Sequence, residues 1–248
     1  PTACAINPPS SSRLVIIKKY NIVTQEAPQP VKSDRLGFID WTRGAATLVM
    51  LQGHVWESLT HKDLRDTGVY MMSQFPGGVA PAVFLFLSGV TLAFLIDSRE
   101  QKGATPGQRT MAALRRAAFL GSLAILFRLQ MFAFYWPNSP WQDVLRVDIL
   151  NCMAAACIML APVAACKRLG RIRGAFAIAA IIAFGAPFVS DWKAAAPESL
   201  FRAYIAPDYA AFALFPWGAF VAGGMACGTV FRSVTSDGRE QLMQWAGW

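Results

Sequence analysis

The chain has 248 residues, of which 54% are hydrophobic and only 15% are charged. Soluble globular domains carry about 25% charged residues, so this composition excludes an ordinary soluble domain and indicates an integral membrane protein. The formal net charge is +8, but the Lys and Arg residues lie in short clusters between apolar segments and not on one soluble surface. We therefore expect no nucleic-acid partner.

The start of the sequence differs from its apolar middle. Residues 1–34 are rich in Pro, Ser and Gln, and the apolar run Leu14 to Ile17 is too short for a signal-peptide core. We expect a flexible cytoplasmic leader there. Because the sequence does not begin with Met and stops soon after an apolar segment, we also expect it to be a piece of a longer protein.

Six apolar segments follow the leader, and a membrane-spanning helix needs ~20 such residues. They predict an all-α, polytopic transmembrane bundle with about six spanning helices. Pro81 falls in the first turn of the second segment, where its missing N–H costs little. The stretch 99–116 is expected to be a basic loop. The approximate segments are 37–56, 79–96, 117–136, 144–166, 175–189 and 209–231.

The distribution of Lys and Arg predicts the orientation. The leader through Arg35 holds five of them, the loop after the second segment holds five, and the loop after the fourth holds four. The alternate loops hold two, one and two. The positive-inside rule therefore places the N-terminus in the cytoplasm. His54 and His61 would lie at the outer face, and Arg35, Asp40 and Arg43 at the inner face.

The first segment, RLGFIDWTRGAATLVMLQGH (35–54), carries an unusual number of polar groups. Charges inside a bilayer are costly and usually serve a function. Asp40 and His54 are fourteen residues apart, so they share a helix face about 21 Å apart. Asp40 and Arg43 are spaced to pair with each other. A purely structural pair at the inner helix end explains them as well as a functional role does.

His54 is the first candidate for chemistry. A neutral imidazole can take a proton from a hydroxyl or amine near neutral pH, as a general base must. The alternative is an interfacial histidine bonded to headgroups or backbone, and composition alone slightly favours it. His61 lies in a polar loop and is still more simply explained as solvent-exposed.

Further polar residues lie in the outer halves of several segments. By helical rise, Arg128 and Asp148 lie about 12 Å and 6 Å from the outer ends of the third and fourth segments, so two antiparallel helices could join them in a salt bridge. Asn151 shares a face with Asp148, and Gln52 lies on the first segment. With His54 they predict a polar pocket that opens outward, although each could instead bond one helix to another.

The sixth segment contains FPWGAFVAGGMACG, in which small residues recur every four positions, as in Gly218, Ala222 and Ala226 and from Gly224 to Gly228. This pattern predicts close helix packing more than chemistry.

Four of the five cysteines lie in or beside apolar segments without paired metal spacing. We expect them to be small buried residues. No phosphate-binding glycine loop, zinc motif or GxSxG nucleophile occurs, so no metal is expected. The four are Cys152, Cys157, Cys166 and Cys227.

Four motifs, in order, resemble one known family. RLGFIDWTRGAATLVMLQGH resembles the opening motif of the heparan-α-glucosaminide N-acetyltransferase-like membrane proteins, which are related to the acyltransferase-3 group. VAPAVFLFLSGVTLAF, VLRVDILNCMAAACIML and FPWGAFVAGGMACG resemble later helices of that family. The resemblance covers residues 34–231. It implies an enzyme that takes an acyl group, usually acetyl, from acyl-CoA in the cytoplasm and gives it to a sugar or glycan acceptor on the far side.

The resemblance also implies roles for individual residues. Arg35, Asp40 and Arg43 match the charges of the family's first helix, and His54 matches the histidine of many bacterial members. In the lysosomal branch of the family the position of His54 looks like Asn and the catalytic histidine lies in the following loop, so the resemblance leaves His61 as a second candidate.

These candidates combine into one mechanism. Arg35 and Arg43 would bind the phosphates of acetyl-CoA, and His54 would deprotonate the acceptor. Arg128, paired with Asp148, or Asn151 would stabilise the oxyanion. Direct transfer and an acyl-histidine intermediate both remain open. An alternative of another class is a transporter or channel that uses the same polar residues as a permeation path.

The chain is thus divided into a leader at 1–34, a transmembrane acyltransferase-like domain at 35–232, and a cytoplasmic tail or the start of a further region at 233–248. Short loops and the histidine variant indicate a bacterial inner membrane. The expected partners are acyl-CoA, a sugar or glycan acceptor and the lipid bilayer, and a homo-oligomer is compatible with the sequence.

Overall fold

A computed structural model describes residues 37–138, 140–195, 199–206 and 212–234. The predicted leader, Arg35 and nearly all of the predicted tail lie outside the described residues. Within these ranges the regular structure is helical, with no strand. The predicted all-α transmembrane bundle is confirmed.

Seven α-helices and two 3₁₀ turns make up the described fold. The 3₁₀ turns, Lys62–Leu64 and Trp141–Leu145, lie in loops. Each predicted apolar segment overlaps one of the α-helices, and α6 is an additional short helix. The helices are α1 (Gly37–Leu59), α2 (Gly68–Gln101), α3 (Pro106–Phe134), α4 (Ile149–Ala165), α5 (Arg168–Ala195), α6 (Leu200–Ile205) and α7 (Leu214–Ser233).

Four of the described helices, α2, α3, α5 and α7, are long and apolar enough to cross a membrane. The helix α4 is apolar but has only 17 residues. The helix α1 has 23 residues, and Asp40, Arg43 and Glu57 reduce its mean hydropathy. Length and composition therefore support four crossings directly, against the six predicted.

The helices α2 and α3 begin earlier than the sequence predicted. Because α2 starts at Gly68, Pro81 lies well inside the helix, and its predicted place in the first turn is wrong. Thr105 and Gln108 form a capping box that starts α3 at Pro106. The predicted loop 99–116 is therefore mostly helical. Hydropathy marks only the apolar part of a helix, and both helices extend beyond that part.

The helix α7 packs closely along α2 and runs parallel to it. A Cβ atom added to Gly89 would overlap the carbonyl oxygen of Val221, and one added to Gly224 would overlap the carbonyl oxygen of Phe86. The close packing predicted from the small residues of the sixth segment is confirmed. On its other side α7 contacts α5, while α3 packs along α4.

Long helices that follow one another in the chain run in alternate directions, which gives the bundle two ends. At one end, the start of α3 meets the end of α4, where Arg109 donates to the carbonyl of Ala165 at 2.7 Å. At the other end, the end of α3 meets the start of α4. We call these the Asp97 end and the Asp148 end, after residues described below.

The helix α1 runs between the two ends and contacts the bundle at both. Near its start, the ring centroids of Phe38 and Phe231 are 5.4 Å apart. Near its end, Gln52 Nε2 donates to the carbonyl of Ser73 at 3.3 Å. Most of its other large apolar side chains are exposed, with Trp41 at 76%. In a membrane these exposed apolar side chains would contact the equally apolar lipid tails.

The four cysteines that the structure describes differ in their exposure. Cys152 and Cys157 are buried, as predicted, whereas Cys166 and Cys227 are exposed. The prediction is wrong for the second pair because an apolar segment has an inward and an outward face. Position in the segment alone does not say which face a residue occupies.

Candidate active site

Four polar side chains meet where α4 begins. The Nε of Arg128 lies 3.2 Å from Asp148 Oδ2, which confirms the salt bridge predicted between the third and fourth segments. Asn151 Nδ2 donates to Asp148 Oδ1 at 3.2 Å, and the hydroxyl of Tyr204 donates to Asn151 Oδ1 at 3.2 Å. We call Arg128, Asp148, Asn151 and Tyr204 the Asp148 cluster.

Asp148 is placed by its role as the N-cap of α4. Its Oδ1 accepts the backbone N–H groups of Leu150 and Asn151, both at 3.1 Å, so it satisfies two of the unpaired donors of the first turn. Asp148 therefore lies at the helix boundary and not inside the helix as the sequence predicted. One carboxylate thus starts α4 and holds both Arg128 and Asn151.

Tyr204 is a member of the cluster that sequence reasoning missed. It lies on α6, a helix whose start could have been recognised from Ser199 followed by the apolar run LFRAYI. Burial raises the pKa of Tyr204, and the nearby carboxylate of Asp148 raises it further. The phenol therefore stays protonated at neutral pH and can donate a hydrogen bond.

A groove of about 620 Å³ lies between α3 and α4 and includes Asn151 and Tyr204 in its lining. Most of the remaining lining is apolar, with small residues such as Ala117, Gly121 and Ala154. Small side chains leave room between the two helices. The groove can therefore hold an extended chain beside two hydrogen-bonding groups.

The two histidines are not joined to the Asp148 cluster. His54 is exposed on α1 at the Asp148 end and makes no side-chain hydrogen bond or ion pair within the described ranges. His61 Nδ1 lies 3.1 Å from Asp63 Oδ2, and its side chain is 76% exposed. Gln52 bonds to Ser73 instead. The predicted pocket that combines His54 and Gln52 with the cluster is therefore not formed among the described residues.

Asp40 and Arg43 are exposed near the start of α1, at the Asp97 end. They do not form the ion pair that their spacing allows, and neither has an ionic partner in the part of the chain that the structure describes. An exposed pair at this spacing is worth only about 0.2–0.5 kcal/mol, so solvation competes with it. A guanidinium without an ionic partner among the described residues can bind an anion, whereas a carboxylate repels one.

Asp97 forms a buried ionic centre that sequence reasoning also missed. Its side chain is 1% exposed. Its Oδ1 is 3.1 Å from Arg168 Nη2 and 3.7 Å from Arg171 Nη2. Its Oδ2 accepts from Arg232 Nε at 3.2 Å and from Gln101 Nε2 at 2.9 Å. One carboxylate therefore joins the end of α2 to the start of α5 and the end of α7.

Glu100, one helical turn further, extends this centre. Its Oε2 is 2.7 Å from Arg171 Nη2, and its Oε1 is 2.7 Å from Arg109 Nη1. Arg171 is fully buried and also donates to the carbonyl of Cys166 at 3.4 Å. Among the described residues, two carboxylates thus share four guanidinium groups. We call these residues the Asp97 cluster: Asp97, Glu100, Arg109, Arg168, Arg171 and Arg232.

Arg116 is a partly buried arginine on α3 with neutral partners. Its Nη2 donates to Thr91 Oγ1 at 2.7 Å and lies 3.4 Å from both the carbonyl and the hydroxyl of Ser88. No carboxylate pairs with it in the described portion of the chain. Hydrogen-bond acceptors on α2 therefore replace a counterion for this charge.

A comparison with known families identifies the family to which the chain belongs. Residues 35–247 match the family described as heparan-alpha-glucosaminide N-acetyltransferase, catalytic. No curated protein and no solved structure matches the chain. The match covers most of the sequence, and the chain therefore belongs to the heparan-alpha-glucosaminide N-acetyltransferase catalytic family, a family of membrane acetyltransferases.

Proposed function

We propose that the protein transfers an acetyl or related acyl group from acyl-CoA on the cytoplasmic side to a sugar or glycan acceptor at the outer face. The family match over residues 35–247 carries this proposal. The two ends of the bundle add support, since basic residues gather at the Asp97 end and hydrogen-bonding groups gather at the Asp148 end.

Acyl-CoA would bind with its phosphates at the Asp97 end, and its pantetheine arm would extend between the helices so that the thioester reaches the Asp148 end. Arg43 is exposed and has no ionic partner among the described residues, so its planar guanidinium is free to bind phosphate oxygens through two parallel hydrogen bonds. We assign the same role to Arg35. Asp40, three residues before Arg43 on α1, would orient Arg43 once the donor displaces solvent.

At the Asp148 end, His54 would act as the general base. Its imidazole is exposed and free of described partners, so it can accept the proton of an acceptor hydroxyl or amine. The acceptor oxygen or nitrogen would attack the thioester carbonyl, the carbon–sulfur bond would break, and the CoA thiolate would take the proton back from His54 as it leaves. Arg128 and Asn151 would donate hydrogen bonds to the oxyanion, and Asp148 would hold both in position. His61, already bonded to Asp63, is the second candidate for the base.

A transfer assay tests the base. The intact protein in lipid nanodiscs would be given radiolabelled acetyl-CoA and a panel of amino and hydroxyl sugars. We expect His54→Ala to reduce transfer at least about 100-fold, as removal of a general base does, while acetyl-CoA binding is retained. His61→Ala serves as the matched control and should retain transfer.

The reverse pattern, with activity lost in His61→Ala and kept in His54→Ala, would move the base to His61. If the wild-type protein bound no acetyl-CoA, the transferase proposal would be wrong and a transporter would become the better explanation.

A further inference from the structure

A depression of about 520 Å³ lies at the Asp97 end, where α2 turns into α3. Three basic side chains line it: Arg99, Lys102 and Arg115. All three are exposed, and none forms an ion pair or side-chain hydrogen bond within the described ranges. Three cations in one depression repel each other unless an anion lies between them.

The two carboxylates that the structure describes near the depression are not available as that anion. Asp97 is buried among Arg168, Arg171 and Arg232. Glu100 lies 2.7 Å from both Arg109 and Arg171. Both carboxylates are therefore bonded to guanidinium groups of the Asp97 cluster and do not pair with the three cations of the depression.

The turn between the two helices gives the depression further hydrogen-bond donors. Gly103 has a φ of +78°, a backbone conformation that favours glycine and lets the chain reverse within a few residues. Gln108 Oε1 accepts the backbone N–H of Thr105 at 2.9 Å, so the side-chain NH₂ of Gln108 remains available in the lining. The positive end of the α3 dipole lies at the same point and favours an anion.

We propose that this depression is a phosphate-binding site formed by Arg99, Lys102 and Arg115, with Gln108 as an additional donor. Arginine and lysine supply charge-assisted hydrogen bonds to phosphate oxygens. Two sources offer a phosphate group at this position: the nucleotide end of acyl-CoA and the headgroup of an anionic lipid. The first source rests on the proposed function, whereas the second is independent of it.

Binding measurements on the intact protein test the site. The pocket variant R99Q/K102Q/R115Q would be compared with K62Q/K167Q/R173Q, which removes the same charge from three exposed cations outside the depression. In phosphatidylcholine nanodiscs, CoA binding would be measured by calorimetry at several salt concentrations, with inorganic pyrophosphate as competitor. In nanodiscs that also contain phosphatidylglycerol, retained lipid would be counted by native mass spectrometry.

We expect the pocket variant to weaken binding of one of the two ligands at least about tenfold, since it removes three charge-assisted contacts to phosphate oxygens. The salt dependence of that ligand's binding should also become shallower. The control variant should change either ligand less than about twofold. Loss of CoA binding identifies the acyl donor as the source, and loss of retained phosphatidylglycerol identifies a lipid.

If the pocket variant behaved like the control variant with both ligands, the phosphate site would be wrong. Its failure can be separated from failure of the proposed function. If both variants bound CoA as tightly as the wild-type protein does, the transferase proposal would hold and CoA would not use this site. If the wild-type protein bound no CoA but retained phosphatidylglycerol through the three cations, the phosphate site would hold and the transferase proposal would be wrong.

Discussion

Asp97 is the residue on which most of the ionic contacts at its end of the bundle converge. It is 1% exposed and accepts from side chains of α2, α5 and α7. A buried carboxylate is tolerated only when charged hydrogen-bond donors compensate for its lost solvation. The reverse also holds, because Arg171 is fully buried and depends on Asp97 and Glu100 for its counter-charge.

Asp97→Asn should therefore destabilise the fold strongly. The substitution keeps the shape of the side chain but leaves buried guanidinium groups short of negative charge, which costs about 3 kcal/mol or more when one partner of a buried ion pair is removed. Thermal unfolding in detergent micelles should show a clearly lower Tm.

Asp40→Asn is the matched control for this prediction. Asp40 is an exposed carboxylate with no ionic partner in the described part of the chain, so its neutralisation should change stability by less than about 0.5 kcal/mol. Equal effects of the two substitutions would show that the Asp97 cluster does not stabilise the fold.

At the scale of the elements, the contact between α2 and α7 depends on glycine. Added Cβ atoms at Gly89 and Gly224 would overlap backbone of the facing helix, and one at Gly228 would lie 2.9 Å from Val90 Cα. Backbone atoms cannot move aside as the end of a flexible side chain can. The two helices must therefore separate if any of these glycines gains a side chain.

Gly224→Ala tests this contact, and the same substitution at the adjacent Gly223 is the matched control. We expect it to destabilise the protein by at least about 2 kcal/mol through overpacking. Gly223→Ala should be neutral or stabilise by up to about 1 kcal/mol, because a Cβ there has open space and alanine favours the helix. Denaturation of both variants in the same detergent gives the comparison, and a tolerated Gly224→Ala would contradict the close packing.

At the scale of the whole molecule, the two ends differ in charge. The Asp97 end carries the Asp97 cluster and the free cations of the α2–α3 turn, while the Asp148 end has few basic residues. The positive-inside rule predicts that the Asp97 end faces the cytoplasm. Cys166, exposed at that end, and His61, exposed near the other, offer two positions from which to test the orientation.

Thiol labelling in intact cells measures this orientation. In a variant whose other cysteines are replaced, Cys166 should react with a membrane-impermeant maleimide only after the cells are permeabilised. In a cysteine-free background, His61→Cys should react without permeabilisation. The opposite labelling pattern would show that the bundle has the opposite orientation in the membrane. Labelling of both positions from one side would contradict a membrane between the two ends.

The sequence by itself determined the class of fold and the family. Long apolar segments and interleaved basic clusters are local properties, and they sufficed to predict a helical membrane bundle. Helical rise alone also predicted the pair of Arg128 and Asp148, because both lie near the ends of consecutive antiparallel helices. Small residues at intervals of four predicted the close packing of α7 in the same way.

Only the tertiary structure decided which faces of the helices meet. Asp97, Arg168 and Arg232 come from three separate helices, and their convergence depends on how each helix is rotated about its axis. The same rotation buries Cys157 and exposes Cys166, and it leaves His54 on α1 away from the contacts of the Asp148 cluster. Hydropathy records that a segment is apolar but does not record its partner, so contacts between distant segments follow from packing alone.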